Sequence, residues 1–304
     1  MGVKCCLFVS LLFLTIIPAS FAADLTVVVI KSDSILPFEE ILKGFGTGIK
    51  QRNVSADFVT LDVDRDRQRL NDLAAGIRPN LILCLGLKAL EQASRIRGIP
   101  KIFSLITYEN IQPWSTRDDI SGVSLDLAPA VQFRIIRQAF PGGRRVGVLY
   151  DPDRNQKTVE EAKKGAAAAG FALQTLPVGA IREIPFAFEK LEKNVDLLWT
   201  LYDQTVYNPE ATRYILMQSL QKKIPVIGFS PHFAKAGALL ALYGDYQDMG
   251  QQAALQALAV LNREETINRL ARPGTVRITI NEKVARFMGV TFPAQFIKIV
   301  DQFY

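Results

Sequence analysis

Leu81-Ile82-Leu83-Cys84-Leu85, followed by Gly86-Leu87-Lys88, has no polar position on either side of its strand. Side chains alternate between the two faces of a strand, so an all-apolar run is covered on both faces. That is the condition of a parallel sheet flanked by helices. Outward from it, Leu25 to Ile30, Ala56 to Leu61 and Lys101 to Leu105 give further short strands. Helical stretches lie between them at Pro37 to Lys50, Asp66 to Gly76 and Leu87 to Arg97. The first carries its apolar positions at Phe38, Ile41, Leu42, Phe45 and Ile49. Strand and helix in alternation predict an α/β fold.

The cadence restarts at Val146 to Tyr150. It continues through a helix at Gln156 to Ala169, a strand at Ala172 to Pro177, a helix at Ile184 to Lys193 and a strand at Leu197 to Leu201. A helix at Pro209 to Gln221 and a strand at Pro225 to Gly228 complete it. Two Rossmann-like lobes with parallel sheets are therefore expected, not one extended sheet. Ser121 to Leu125, Leu239 to Tyr243 and Val276 to Ile280 are short strands suited to crossing between them, with a helix at Tyr246 to Leu261. These form a three-segment hinge. The expected first lobe comprises residues 23–122 and 245–276, and the second 123–244 and 277–304.

Residues 1–22 have the form of an export signal. Lys4 precedes the apolar run Leu7 to Ile17, Pro18 breaks it, and Ser20-Phe21-Ala22 supplies the small-x-small cleavage pattern. The run is shorter than the roughly 20 residues that span a bilayer. A periplasmic protein cleaved near Ala22 is expected, and Cys84 is then the one cysteine left, buried in its strand. A composition of 49% hydrophobic and 22% charged residues argues for a folded chain. The net charge of +6 is dispersed, as in Lys163-Lys164 and Lys222-Lys223, which opposes a nucleic-acid partner.

Catalytic chemistry finds little support. His232 is the one histidine, and no metal-ligand spacing accompanies it. There is no Gly-x-Ser-x-Gly elbow. Gly44, Gly46 and Gly48 fall inside a helix, away from the strand-to-helix turn that a dinucleotide fingerprint needs. No cofactor, metal or catalytic residue is expected.

In doubly wound sheets ligands bind beyond the C-terminal strand ends. The candidate binding residues are accordingly Ser32 and Asp33, with Asp33 or Ser34 a cap for the first helix; Gly86 and Leu87; Thr107 and Tyr108; Tyr150 and Asn155; Tyr202, Asp203 and Thr205; Ser230; and Asp245. Loop amides near Ser32 and Gly86 are suited to a carboxylate. Asp203 is suited to an ammonium group, and Tyr108 and Tyr202 to a flat apolar portion.

Gly122-Val123-Ser124, Val146 to Pro152, Lys223-Ile224-Pro225-Val226, Lys235 to Leu239, Gly244-Asp245-Tyr246-x-x-x-Gly250 and the tail from Ile280-Asn281 to Met288-Gly289-Val290 occur in a telling order. In them the chain resembles the tryptophan/tyrosine-type ABC transporter substrate-binding proteins, of the type I periplasmic binding fold. The resemblance implies capture of a small solute, often an aromatic amino acid, and delivery to a membrane permease. It implies ligand contacts at Ser32, Asp33, the Gly86 loop, Thr107, Asn155, Asp203 with Thr205, and Ser230. Two departures stand out. The family usually has Gly-Thr-Pro where this chain has Gly86-Leu87-Lys88, and often Val-Thr-Asp-Pro where it has Ile106-Thr107-Tyr108-Glu109. Tyr108 and Glu109 are expected to fill part of the cleft. A sensor module docking on a membrane receptor is the alternative, an enzyme is disfavoured, and a monomer is expected.

Overall fold

The structure is a computed structural model describing residues 25–71, 79–264 and 268–304. The expected export signal, and the expected second helix beyond Asn71, lie outside the described residues. The first half of the chain supplies β1 (Leu25–Lys31), β2 (Ala56–Asp62), β3 (Leu81–Leu85), β4 (Lys101–Ser104) and β5 (Ile120–Val123). Next come β6 (Arg145–Tyr150), β7 (Ala172–Pro177), β8 (Leu197–Trp199), β9 (Val226–Gly228) and β10 (Leu240–Gly244). The short β11 (Leu270–Ala271), then β12 (Val276–Ile280) and β13 (Gln302–Phe303), end the series.

They form two sheets, ordered β11-β5-β4-β3-β1-β2 and β13-β12-β10-β9-β8-β6-β7. Both repeat one winding: the second strand outside the first, then the third, fourth and fifth on the other side. Every pairing is parallel except β10 with β12. The two-lobed α/β architecture expected from the sequence is what the chain adopts.

The helices are α1 (Leu36–Lys50), α2 (Arg67–Asn71), α3 (Leu87–Ala93), α4 (Tyr108–Ile111), α5 (Pro129–Ala139) and α6 (Pro152–Ala168). The remainder are α7 (Ile184–Glu192), α8 (Pro209–Gln221), α9 (Pro231–Ala236), α10 (Tyr246–Leu261), α11 (Glu282–Met288) and α12 (Ala294–Ile297). The apolar run that opened the argument is buried on both faces. Leu81, Leu83 and Leu85 pack with Phe38, Ile41 and Phe45 of α1 and Ala253 of α10, while Ile82 and Cys84 pack with Ala89 and Leu90 of α3. Burying each large apolar side chain contributes about 1.5–3 kcal/mol. Burial also pushes the Cys84 thiol well up from its ordinary value, so it stays protonated.

α1 and α10 meet backbone to backbone. A Cβ on Gly44 would lie 2.0 Å from the Gln247 carbonyl oxygen, and one on Gly250 would lie 2.2 Å from that of Ile41. Gly44 and Gly48 of α1 thus serve packing, whereas Gly46 faces open space.

The structure corrects three local expectations. The strands expected to be crossings are ordinary sheet members: β5 lies between β4 and β11, and β10 and β12 pair inside the second sheet. The chain passes between lobes in the short segments after β5, after β10 and before β12. Second, α5 was not foreseen. Its buried Phe133, Ile136 and Ala139 form a narrow stripe among Arg134, Arg137 and Gln138, packed in the second lobe's core. Third, neither Asp33 nor Ser34 caps α1. Its N-cap position is Ile35, without a side-chain bond, and the Asp33 carboxylate accepts the N–H of Ser34 at 2.6 Å.

Candidate functional site

In each sheet the winding reverses beside its first strand, so the loops after β1 and β3, and after β6 and β8, open at the crevice. On the second lobe the loops after β6 and β8 are tied together by one carboxylate. Asp203 Oδ1 accepts the backbone N–H groups of Thr205 at 2.9 Å and Val206 at 3.0 Å. Its Oδ2 accepts the N–H of Asp151 at 2.7 Å and the Asn155 amide at 3.0 Å. An ionised carboxylate offers about four lone-pair sites, and here all are taken. Asp203, 4% exposed, is therefore the brace that aims Asn155. The expected ammonium partner is corrected for that reason.

Asn155 interrupts α6, with φ −134° and ψ 15°. The N–H of Thr158, one turn on, is accepted by Glu109 Oε1 of α4 at 2.8 Å, and the Thr158 hydroxyl donates to the same oxygen at 3.2 Å. Glu109 follows a strand of the first sheet and Thr158 belongs to the second lobe, so this contact spans the crevice. A second spanning contact joins Arg272, just after β11, to Glu161 of α6 at 2.6 Å. The Arg272 guanidinium also lies 4.1 Å from the centre of the Tyr108 ring.

Asp126, on the segment leaving β5, accepts the Tyr108 N–H at 2.6 Å. Burial raises its carboxyl to about 6, with the nearby Arg272 charge and the Tyr108 N–H opposing that rise. Burial likewise pushes the Tyr202 hydroxyl up, and that hydroxyl donates to the Phe229 carbonyl at 2.9 Å. The Tyr202 and Phe229 rings lie 4.2 Å apart, tilted by 43°.

These groups surround a hollow between the lobes. Glu109, Asp126, Thr158, Trp199, Tyr202 and Phe229 are among its lining residues. An adjoining cleft of about 360 Å³ is lined by Leu87, Asn110, Arg154, Asp203 and Tyr207, among others. Thr107, Leu125, Asn155, Tyr202 and Phe229 face both. The Trp199 indole N–H donates to Gln132 at 2.9 Å, which fixes that wall.

Of the residues singled out in the sequence, Leu87, Thr107, Asn155, Tyr202 and Asp203 line these spaces. The others do local work. Ser32 Oγ accepts the Ala89 N–H at 2.9 Å, and the Gly86 N–H goes to the Ser104 carbonyl at 2.9 Å. The amides expected to hold a carboxylate are, at those two positions, already spent. Asp33 is exposed. Ser230 caps α9, and Asp245 caps α10 while pairing with Arg277. The Tyr150 hydroxyl donates to Gln156 at 3.2 Å, and that of Thr205 to Asp151 at 2.6 Å. Tyr108 supplies its N–H to Asp126 and its ring to Arg272, away from the hollow's lining. Sequence reasoning passed over Asp126, Thr158 and Arg272. Asp126 stands one residue beyond a stretch already marked as a crossing, so extending the strand-end rule by one position would have included it.

Among the described residues, no three His, Cys, Asp or Glu side chains converge to hold a metal ion. A family model described as ABC transporter substrate binding protein matches residues 26–303. No curated protein matches the chain. Among solved structures, a ligand-free, open substrate-binding protein with adhesive properties from Clostridium difficile is similar at a TM-score of 0.74 and 17% identity, over 91% of this chain and 98% of that one. An ABC domain in complex with L-Trp from Streptococcus pneumonia gives 0.64 and 21%, over 93% and 100%. A glucose-galactose binding protein from Geobacillus stearothermophilus gives 0.54 and 14%, over 84% and 96%. At these identities the likenesses establish a shared fold.

Proposed function

The chain belongs to the ABC transporter substrate-binding proteins, non-catalytic extracytoplasmic receptors that serve a membrane permease, and from that premise we propose how this one takes its solute. The moving bodies are the lobe built on β1 to β5 and β11 with α10, and the lobe built on β6 to β10 with β12 and β13. A small solute with a basic nitrogen and a flat apolar portion enters between them. Tyr202 and Phe229 cover the flat portion, Thr107 and Asn155 supply hydrogen bonds, and closure buries the whole. The closed form then docks on the permease, as a monomer. One observation carries this reading: polar and aromatic side chains of both lobes line one hollow, while Glu109 and Thr158 join across it at 2.8 Å.

Closure needs a solute that binds the closed form better than the open one, and the shift equals that difference in affinity. The L-Trp complex of the Streptococcus structure favours an aromatic solute, and the sugar receptor of the same fold marks how far the fold's ligands range. Mass spectrometry of solute released from gently purified protein tests the proposal, with a thermal-shift panel of amines, amino acids and sugars. A bound solute should raise the melting temperature with its free concentration. A protein that carries no solute and responds to none of the panel would refute it.

A further inference from the structure

Resting on the receptor reading above, we infer that the solute is a small organic cation without a carboxylate. The hollow between the lobes is lined by two carboxylates, Glu109 and Asp126, and by no lysine, arginine or histidine. Within this hollow a carboxylate-bearing solute would meet its own sign, and the cation lining the adjoining cleft is Arg154.

A place suited to an anion at this hollow is filled by the chain itself. Past the break at Asn155, α6 begins again, and the first turn of a helix is where negative charge is favoured. Glu109 occupies it with two hydrogen bonds to one oxygen, at 2.8 and 3.2 Å. Two amides of the Gly86 loop are also engaged, Ala89 by Ser32 and Gly86 by the Ser104 carbonyl.

The cation's seat is the Asp126 carboxylate. Asp203 is saturated by four donors, whereas Asp126 accepts the Tyr108 N–H through Oδ1 and is among the residues lining the hollow. The Arg272 charge favours the ionised Asp126, but that guanidinium pairs with Glu161 and stacks on Tyr108. Arg154, on the adjoining cleft, pairs with Asp151 at 3.5 Å with its side chain half exposed. Tyr202 and Phe229 complete the seat, because aromatic faces attract cations most strongly once water is excluded.

Matched pairs that differ in the carboxylate alone test this by calorimetry on the mature protein: tyramine with L-tyrosine, phenethylamine with L-phenylalanine, and cadaverine with L-lysine. The amine of at least one pair should bind at least tenfold more tightly than its amino acid. Glu109→Gln should narrow that ratio, and Asp126→Asn should weaken the amine at least tenfold. An amino acid binding as tightly as its amine overturns the inference, in wild-type protein and so independently of how any variant folds. Amine affinity unchanged in a folded Asp126→Asn protein also overturns it. If the solute released from wild-type protein is an anion or neutral, the inference falls while the receptor reading stands. If nothing is released and no probe binds, both fall.

Discussion

Replacing Asp203 by asparagine should unfold the second lobe more readily before it affects anything else. In the native protein each carboxylate oxygen accepts two donors: Thr205 and Val206 N–H on Oδ1, Asp151 N–H and the Asn155 amide on Oδ2. An asparagine places its own NH2 at one of those positions, where it faces two donors with nothing to accept them. Two hydrogen bonds to a charged group are lost, each worth about 1.5–3 kcal/mol. They belong to one network and will not add fully, so a net loss of about 3 kcal/mol is expected. Urea unfolding followed by tryptophan fluorescence in a Trp114→Phe background, where Trp199, fully buried in the second lobe's core, is the reporter, measures it. The midpoint should fall with little change in slope. A loss below about 1 kcal/mol would refute the saturation argument. Strong loss of solute binding at unchanged stability would return Asp203 to the role of a direct contact.

The glycines of α1 should differ sharply. Gly44→Ala drives a Cβ to 2.0 Å from the Gln247 carbonyl oxygen and should cost about 3 kcal/mol. Gly46→Ala, with nothing within 4 Å, should stabilise by about 0.5–1 kcal/mol; equal denaturation midpoints for the two variants would count against the close crossing. Glu109→Ala removes the acceptor shared by the Thr158 N–H and hydroxyl, about 2 kcal/mol of closed-state stability, and so lowers the closed-to-open ratio roughly thirtyfold. Small-angle scattering should then show a larger radius of gyration, and an unchanged profile would deny the contact a part in closure. The Asp126 carboxyl is raised from 3.8 to about 6, so the native state holds this proton more tightly than the unfolded chain. Its contribution to stability is full below pH 4 and is lost as pH rises through about 6. After discounting for the part of Asp126 that meets the cleft, that loss is about 1–2 kcal/mol. Tyr108, Glu109 and Arg272 surround it throughout, so comparing Asp126→Asn with wild type across this range isolates its share. Parallel stability curves would refute the assignment.

The sequence disclosed what depends on one strand or one helix at a time. All-apolar β3, the Phe38-Ile41-Phe45-Ile49 stripe and the second cadence from Val146 are local signals, and together they imply two lobes of one winding. The strand-end rule then led to Leu87, Thr107, Asn155, Tyr202 and Asp203 at the crevice. What stayed hidden depends on pairs far apart in the chain. Glu109 meets Thr158 across 49 residues, and Arg272 meets Glu161 across 111. Whether Asp203 has a lone pair to spare is decided by the relative placement of two loops 52 residues apart. A residue's type announces what it is able to bind, whereas its neighbours determine whether that capacity is already used.

The seating of α10 has a consequence for how the protein is made. Met249, Ala253, Ala254 and Ala257 complete the core beneath β1 and β3, yet they are synthesised only after nearly all of the second lobe. Until they emerge, the α10-facing side of Phe45 and Ile49 is uncovered, and the N-terminal portion of a growing chain is left without its keystone. The portion made first therefore stays incomplete until most of the chain has followed it.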